Sequence, residues 1–331
     1  MRGTVLRWAR AGSRSHSGRS AGCRAAGVFL TCTGAFLAMP GGAVALQAPQ
    51  ERDMPANGTM LHTVTLGSGA PVVVIHGGPG LDHGYLLPGM ARLAATNRVI
   101  LYDQRGVGGS PAPLDSASIT MDNYLADLDG LRVALGMEKL NLVGHSFGGL
   151  IALLYAIRYP DRVASLVLVN TVEPGKRYGR EQADRQRGRR TPADSARIAA
   201  LMAGEGFRSR DRLVFERLFW LSFRSTFSNP ALADRLEIHL AEATAKNGST
   251  VARLLVGPLG AYDYWDDLGS IRARVLIIHG EDDAIPVSMA EDLSRRIPGA
   301  RLLPVGNAGH FPYIEAPDVV FDAITRFVDG K

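Results

Sequence analysis

From about residue 60 onward, short runs of β-branched and aliphatic residues alternate with longer stretches whose apolar positions recur every three or four residues. Five runs, at 72–75, 99–102, 140–143, 166–169 and 275–278, are apolar almost throughout. Such continuity marks strands covered on both faces, because a half-exposed strand would alternate. Residues 60–66 and 301–305 are expected to add edge strands. Between these runs, Thr120 predicts the N-cap of a helix that reaches about Leu135 and stops at Gly136, and residues 147–159 predict a second helix halted by Pro160. Val319, Val320, Ile324 and Phe327 have the spacing of an amphipathic C-terminal helix. The alternation as a whole predicts an α/β fold, a mostly parallel sheet flanked by helices.

The rhythm lapses between about Thr171 and Asp267, where no strand is expected and the residues turn helical, polar and arginine-rich. An insertion placed there lies over the carboxyl ends of the strands, the edge at which open α/β sheets bind ligands. Its most biased stretch, residues 176–190, holds seven Lys or Arg and two acids and reads as a solvated helix or mobile loop. A chain of 331 residues, 46% hydrophobic, is long enough for one substantial core.

The formal net charge of +5 invites a nucleic-acid reading until its location is considered. Six arginines and no acid fall within residues 1–45, leaving 31 basic residues against 32 acidic ones in the remainder. The first 45 residues have the order of a secretory signal: a basic region, an apolar run at 25–39, then Ala43-Val44-Ala45 as a small-x-small cleavage site. Export to the periplasm or the exterior is the expectation, with a start codon set too early or an organellar transit peptide as the alternatives. The apolar run falls short of the ~20 residues of a spanning helix, so no stable membrane anchor is expected after processing. Both cysteines, Cys23 and Cys32, lie in this leader, which excludes a thiolate nucleophile, disulfides and cysteine-ligated metal from the mature chain.

Gly144-His145-Ser146-Phe147-Gly148 fits the G-x-S-x-G elbow, and it directly follows one expected strand and opens one expected helix, the context that motif requires. A serine hydroxyl needs a base to take its proton. His310 is the histidine on a loop that follows a late strand and precedes the last helix, within Asn307-Ala308-Gly309-His310-Phe311-Pro312. An acid is expected on the loop after residues 275–278, where Glu281, Asp282 and Asp283 stand side by side and composition does not choose among them. Backbone donors for an oxyanion are available at Phe147 and in the loop His76-Gly77-Gly78-Pro79-Gly80, where Gly78 is the expected second donor. That loop lacks a Walker lysine and the G-x-G-x-x-G spacing, which argues against nucleotide binding, and no cluster has metal-ligand spacing. No cofactor, metal or nucleic-acid partner is therefore expected.

With HGGPG at 76–80, DQRGVGGS at 103–110, GHSFGG at 144–149, GEDDAIP at 280–286 and NAGHFPYIEAP at 307–317, the chain resembles the α/β-hydrolase superfamily over nearly all of its mature length. The resemblance implies an α/β-hydrolase fold with a core at 46–171 and 268–331 and an inserted helical cap at 172–267. It implies Asp283 as the acid, three residues after Gly280, with Asp282 as the fallback, beside Ser146 and His310. HGGPG together with DQRG-x-G-x-S is most similar to the proline iminopeptidase branch, which removes an N-terminal residue from small peptides and holds the free ammonium with cap glutamates; Glu216, near Trp220, is the candidate here. The elbow, Gly-His-Ser-Phe-Gly in place of that branch's common Gly-Gly-Ser-Trp-Gly, has the form widespread among esterases. The expected substrate is a short peptide or other small molecule. A carboxylesterase on small esters is the alternative, followed by a lyase or cofactor-free haloperoxidase on the same residues and by a non-catalytic binding module.

Overall fold

The computed structural model describes residues 48–257 and 262–330 within the compact unit Val44–Lys331. The expected leader, with its Ala43-Val44-Ala45 junction, lies outside the described residues. Eight strands form one sheet: β1 (Gln50–Ala56), β2 (Thr59–Leu66), β3 (Ala70–Ile75), β4 (Asn97–Tyr102), β5 (Leu140–His145), β6 (Val163–Val169), β7 (Arg274–Gly280) and β8 (Arg301–Val305). Their spatial order is β1-β2-β4-β3-β5-β6-β7-β8. β2 runs antiparallel to both β1 and β4, and all the other pairings are parallel.

α1 (Leu87–Met90) lies between β3 and β4, α2 (Met121–Ala134) between β4 and β5, and α3 (Phe147–Arg158) between β5 and β6. The segment between β6 and β7 carries α4 (Gly179–Gln186), α5 (Pro192–Ala203), α6 (Glu205–Arg208), α7 (Arg212–Arg224) and α8 (Glu242–Val256), and no strand among its described residues. α9 (Val287–Arg296) separates β7 from β8, and α10 (Pro312–Glu315) and α11 (Pro317–Val328) follow β8.

Side chains of successive strand residues point to opposite faces, so one continuous apolar run feeds two cores. Val73 and Ile75 join Leu142, Ile151 and Leu128 on the face covered by α2 and α3. Val72 and Val74 join Val143, Ile324 and Phe327 on the face covered by α11. Val72, Val73, Val74 and Ile75 of β3 are completely buried, as their uninterrupted hydrophobicity predicts. Thr120 caps α2 by accepting from the Asn123 N–H, and Gly136 follows it at φ 67°.

Two expectations need correction. The strand at 60–66 is not an edge, because β1 pairs along its outer side. Gln-Glu-Arg-Asp-Met-Pro-Ala is polar and largely exposed, so its strand identity comes from main-chain pairing with β2 and carries no hydrophobic signal. In α11 the buried stripe is Val320, Phe321, Ile324, Phe327 and Val328, whereas Val319 is 51% exposed.

Candidate active site

Six parallel strands, β3 to β8, bring their carboxyl ends to the same edge, and every expected site residue stands on a loop at that edge or on the segment inserted after β6. The turn between β5 and α3 puts Ser146 at φ 55°, ψ −121°, a conformation costing a non-glycine residue on the order of 1–3 kcal/mol. The glycines around it permit the turn, since a Cβ on Gly148 would lie 2.2 Å from the Ile75 carbonyl oxygen. The Ser146 main chain is fully engaged: its N–H donates to the Val169 carbonyl at 3.0 Å and its carbonyl accepts from Gly149 at 2.9 Å and Val172 at 3.3 Å. Its hydroxyl has no hydrogen-bond partner among the described residues.

His310 arrives on the loop after β8, and its Nδ1 lies 2.7 Å from Asp283 Oδ2 on the loop after β7. Asp283 is buried, and burial works against its charge. The His310 ring and hydrogen bonds nevertheless hold its carboxyl down at about 2, so it is anionic at neutral pH. Asn170, just past β6, donates to the same Oδ2 at 2.6 Å and to the Gly309 carbonyl at 3.1 Å, tying the acid loop to the base loop. Of the other two acids, Asp282 accepts from the Ser228 hydroxyl at 2.6 Å and Glu281 points to solvent. The structure thus brings His310 to Asp283 and to neither neighbour.

Gly77 packs against the elbow so closely that a Cβ on it would meet Ser146 Cβ at 3.0 Å. The Gly77 N–H donates to Tyr85 Oη at 2.7 Å, whereas the N–H groups of Gly78 and Phe147 make no hydrogen bond among the described residues. These two unused amides are the expected oxyanion donors. Phe147 is also the first residue of α3, where the helix dipole favours negative charge.

Several residues that build the site were assigned no role by the sequence. Asp103 of the DQRG segment accepts from His83 Nδ1 at 2.6 Å, from the His83 N–H at 3.0 Å and from the Gly109 N–H at 2.8 Å. Burial opposes charge on both members of that pair, but the hydrogen bond between them wins, raising His83 and lowering Asp103. Asp82 accepts from the Ala241 N–H at 2.8 Å and Thr244 Oγ1 at 2.6 Å, latching the core to the inserted helices. Glu315 gathers the N–H groups of Gly309, Ser228 and Asn229 at 2.6, 2.8 and 3.1 Å. Arg185, from the stretch expected to be merely solvated, donates to the carbonyls of Asp283 and Glu281 at 2.8–3.0 Å and braces the acid loop. Local sequence cannot announce most of these contacts, because they join positions far apart in the chain.

Glu216 sits differently from its expected role. Its carboxylate pairs with Arg212 one turn earlier in α7 and accepts from the Leu240 N–H at 2.9 Å. That guanidinium also lies 3.5 Å from Glu242, so Glu216 is paired but shares its partner with a second carboxylate. No group of three His, Cys, Asp or Glu side chains among the described residues is arranged to hold a metal ion.

A family model described as the alpha/beta hydrolase fold matches residues 70–317. The chain is similar to a proline iminopeptidase of Lactobacillus delbrueckii subsp. bulgaricus, 29% identical over 262 residues that cover 74% of this chain and 85% of that one. A proline iminopeptidase of Saccharolobus solfataricus is 29% identical over 276 residues, covering 80% and 86%. Among solved structures, a thermophilic esterase from Thermogutta terrifontis superposes with a TM-score of 0.64 at 26% identity, over 85% of this chain and 98% of that one. A proline iminopeptidase from Mycobacterium smegmatis gives the same TM-score and coverage at 22% identity.

Proposed function

Since the chain belongs to the α/β-hydrolase family, we propose that it is a serine hydrolase working through an acyl-enzyme, a proline iminopeptidase-like aminopeptidase on small peptides. The observation that carries this reading is the His310–Asp283 pair at 2.7 Å, on the same rim as a strained serine flanked by two unpartnered amides. In the proposed cycle Ser146 Oγ attacks the substrate carbonyl while His310 Nε2 takes its proton and later gives it to the leaving amine. The Asp283 carboxylate fixes the ring with Nε2 toward the serine and stabilises the imidazolium. The Gly78 and Phe147 N–H groups receive the oxyanion, and water activated by His310 then releases the acyl group.

A carboxylesterase on small esters is the second reading, favoured by one observation. A free N-terminal ammonium needs an uncompensated carboxylate, and the one expected in the cap, Glu216, is held by Arg212. Relatives named proline iminopeptidase support the first reading, and the esterase neighbour supports the second. Proline 4-nitroanilide, alanine 4-nitroanilide and short-chain 4-nitrophenyl esters separate them, with Ser146→Ala as control. Release of 4-nitroaniline is expected, and loss of Ser146 is expected to lower kcat by about 10³-fold or more. Turnover of esters alone would remove the aminopeptidase reading, and full activity in the variant would remove the serine mechanism.

Export belongs to the same proposal and rests on the leader composition. N-terminal sequencing of the secreted protein is expected to begin at Leu46, directly after Ala45.

A further inference from the structure

The residue just before the nucleophile carries a hydrogen-bond chain whose polarity is determined along its whole length. An amide can only donate, so Tyr85 Oη accepts from the Gly77 N–H at 2.7 Å. The phenol proton then goes to the remaining polar neighbour, His145 Nδ1, 2.9 Å away. A ring nitrogen that accepts carries no proton, so neutral His145 is protonated on Nε2, which donates to the His310 carbonyl at 2.9 Å. The charge states agree with this assignment. Burial, helped by the neighbouring His310, pushes the His145 imidazole down to about 3, and burial raises the Tyr85 phenol well above its ordinary range.

We propose that Tyr85 is a positioning residue for hydrolysis: through His145 it sets the distance between the oxyanion turn at Gly77–Gly78 and the loop that presents His310. The inference rests on the serine-hydrolase reading above. Its physical basis is the sheet order, which places β8 four strands from β3, roughly 19 Å at ordinary strand spacing. The two halves of the site therefore come from distant loops, and the chain Gly77–Tyr85–His145–His310 joins them directly beside Ser146. Because Tyr85 occupies the Gly77 amide, the next amide, Gly78, is the one left to face an oxyanion. The His145 ring centroid is 5.0 Å from that of His310, so a displaced His145 displaces the base. The other rings around His145 are Phe311 and Tyr313, with centroids at 5.4 and 5.3 Å. Neither ring makes a hydrogen bond to His145 among the described residues, and the Tyr313 hydroxyl has no partner there at all.

The test is steady-state kinetics of the mature protein on its best 4-nitrophenyl ester or 4-nitroanilide. Tyr85→Phe keeps the ring, and it is expected to lower kcat about tenfold with KM within about twofold, the signature of misplacement without loss of binding. His145→Leu is expected to lose a similar factor, and His145→Gln, which keeps a donor for the His310 carbonyl, to recover most of it. Tyr85→Phe combined with His145→Leu is expected to be no worse than His145→Leu alone, because one chain cannot be broken twice. A Tyr85→Phe kcat within twofold of the unaltered protein, or losses that multiply, would overturn the inference. Retained turnover in Ser146→Ala removes the serine mechanism and this inference with it, whereas an inactive Ser146→Ala beside an unimpaired Tyr85→Phe removes the inference alone. Should either variant fail to fold, imidazole nitrogen NMR of the unaltered protein gives the answer: His145 is expected as the neutral Nε2–H tautomer from about pH 5 to 8, and an Nδ1–H tautomer overturns the proposal.

Discussion

The base-side loops and the cap helices are held by different forces. On the loops after β7 and β8, hydrogen bonds between remote segments dominate: Asn170 to Asp283 and Gly309 in full burial, and, half-buried or exposed, Arg185 to two carbonyls, Glu315 to three amides and His145 to the His310 carbonyl. Removing Asn170 strands the Asp283 carboxylate and the Gly309 carbonyl away from water, at about 1–3 kcal/mol each. In the cap, α4 to α7 carry exposed guanidinium–carboxylate pairs such as Arg187–Asp184 and Arg208–Glu205. Such pairs are worth about 0–1 kcal/mol. The contrast teaches that the chemical edge is over-determined, whereas the surface above it can change residue by residue at little thermodynamic expense. A fold built this way can keep one reaction and exchange substrates.

The sharpest attempt to break that contrast is Asp283→Asn. The amide preserves shape but no longer holds the His310 tautomer or offsets its charge. kcat is expected to fall about 10⁴-fold in steady-state assays, and a fall of less than tenfold would show that the buried pair is structural only.

Acid should find the same region next. The folded-state imidazole of His145 is lowered from an ordinary value of 6.5 to about 3, so between those values the unfolded chain binds the extra proton. This contribution to stability is complete above about pH 6.5 and is lost as pH falls toward 3. Asp283, lowered from 3.8 to about 2, adds a loss only as pH falls from about 4 toward 2. Scanning calorimetry is expected to show the melting temperature already dropping between pH 7 and pH 4.5, and a flat profile there would contradict a neutral, buried His145.

Where the two regions touch, Asp82→Asn weakens the latch to Ala241 and Thr244. KM is expected to rise roughly three- to tenfold while kcat changes less than about threefold, since the cap docks less firmly while Ser146, Asp283 and His310 stay in place. An equal loss in kcat would mean that the latch also positions the chemistry. The smallest effect is expected from Glu216→Gln, which removes an ion pair within α7. Stability should change by less than about 1 kcal/mol, and turnover of esters should stay within about twofold. A large, selective loss on 4-nitroanilides would restore Glu216 as the ammonium partner.

Much of this was legible in the chain. Continuous apolar runs announce strands buried on both faces, and the β5 and β7 runs lead straight into the loops bearing Ser146 and Asp283. β1 was hidden because its polar residues earn no burial and its identity comes from pairing alone. Tyr85, Arg185 and Glu315 were hidden for a related reason. Each is an ordinary residue by composition, and its role depends on partners 60, 98 and 87 positions away.

Taken by itself, the sequence determined the class of fold, the turn that carries Ser146 and the loop that carries His310, because hydrophobic period, glycine placement and motif context act over a few residues. Tertiary structure alone decided which of three adjacent acids meets His310, which glycine amide stays unused, and that Glu216 pairs with Arg212 and the Leu240 amide. Those outcomes depend on hydrogen bonds between remote segments, and their geometry is set only once the strands have lined up.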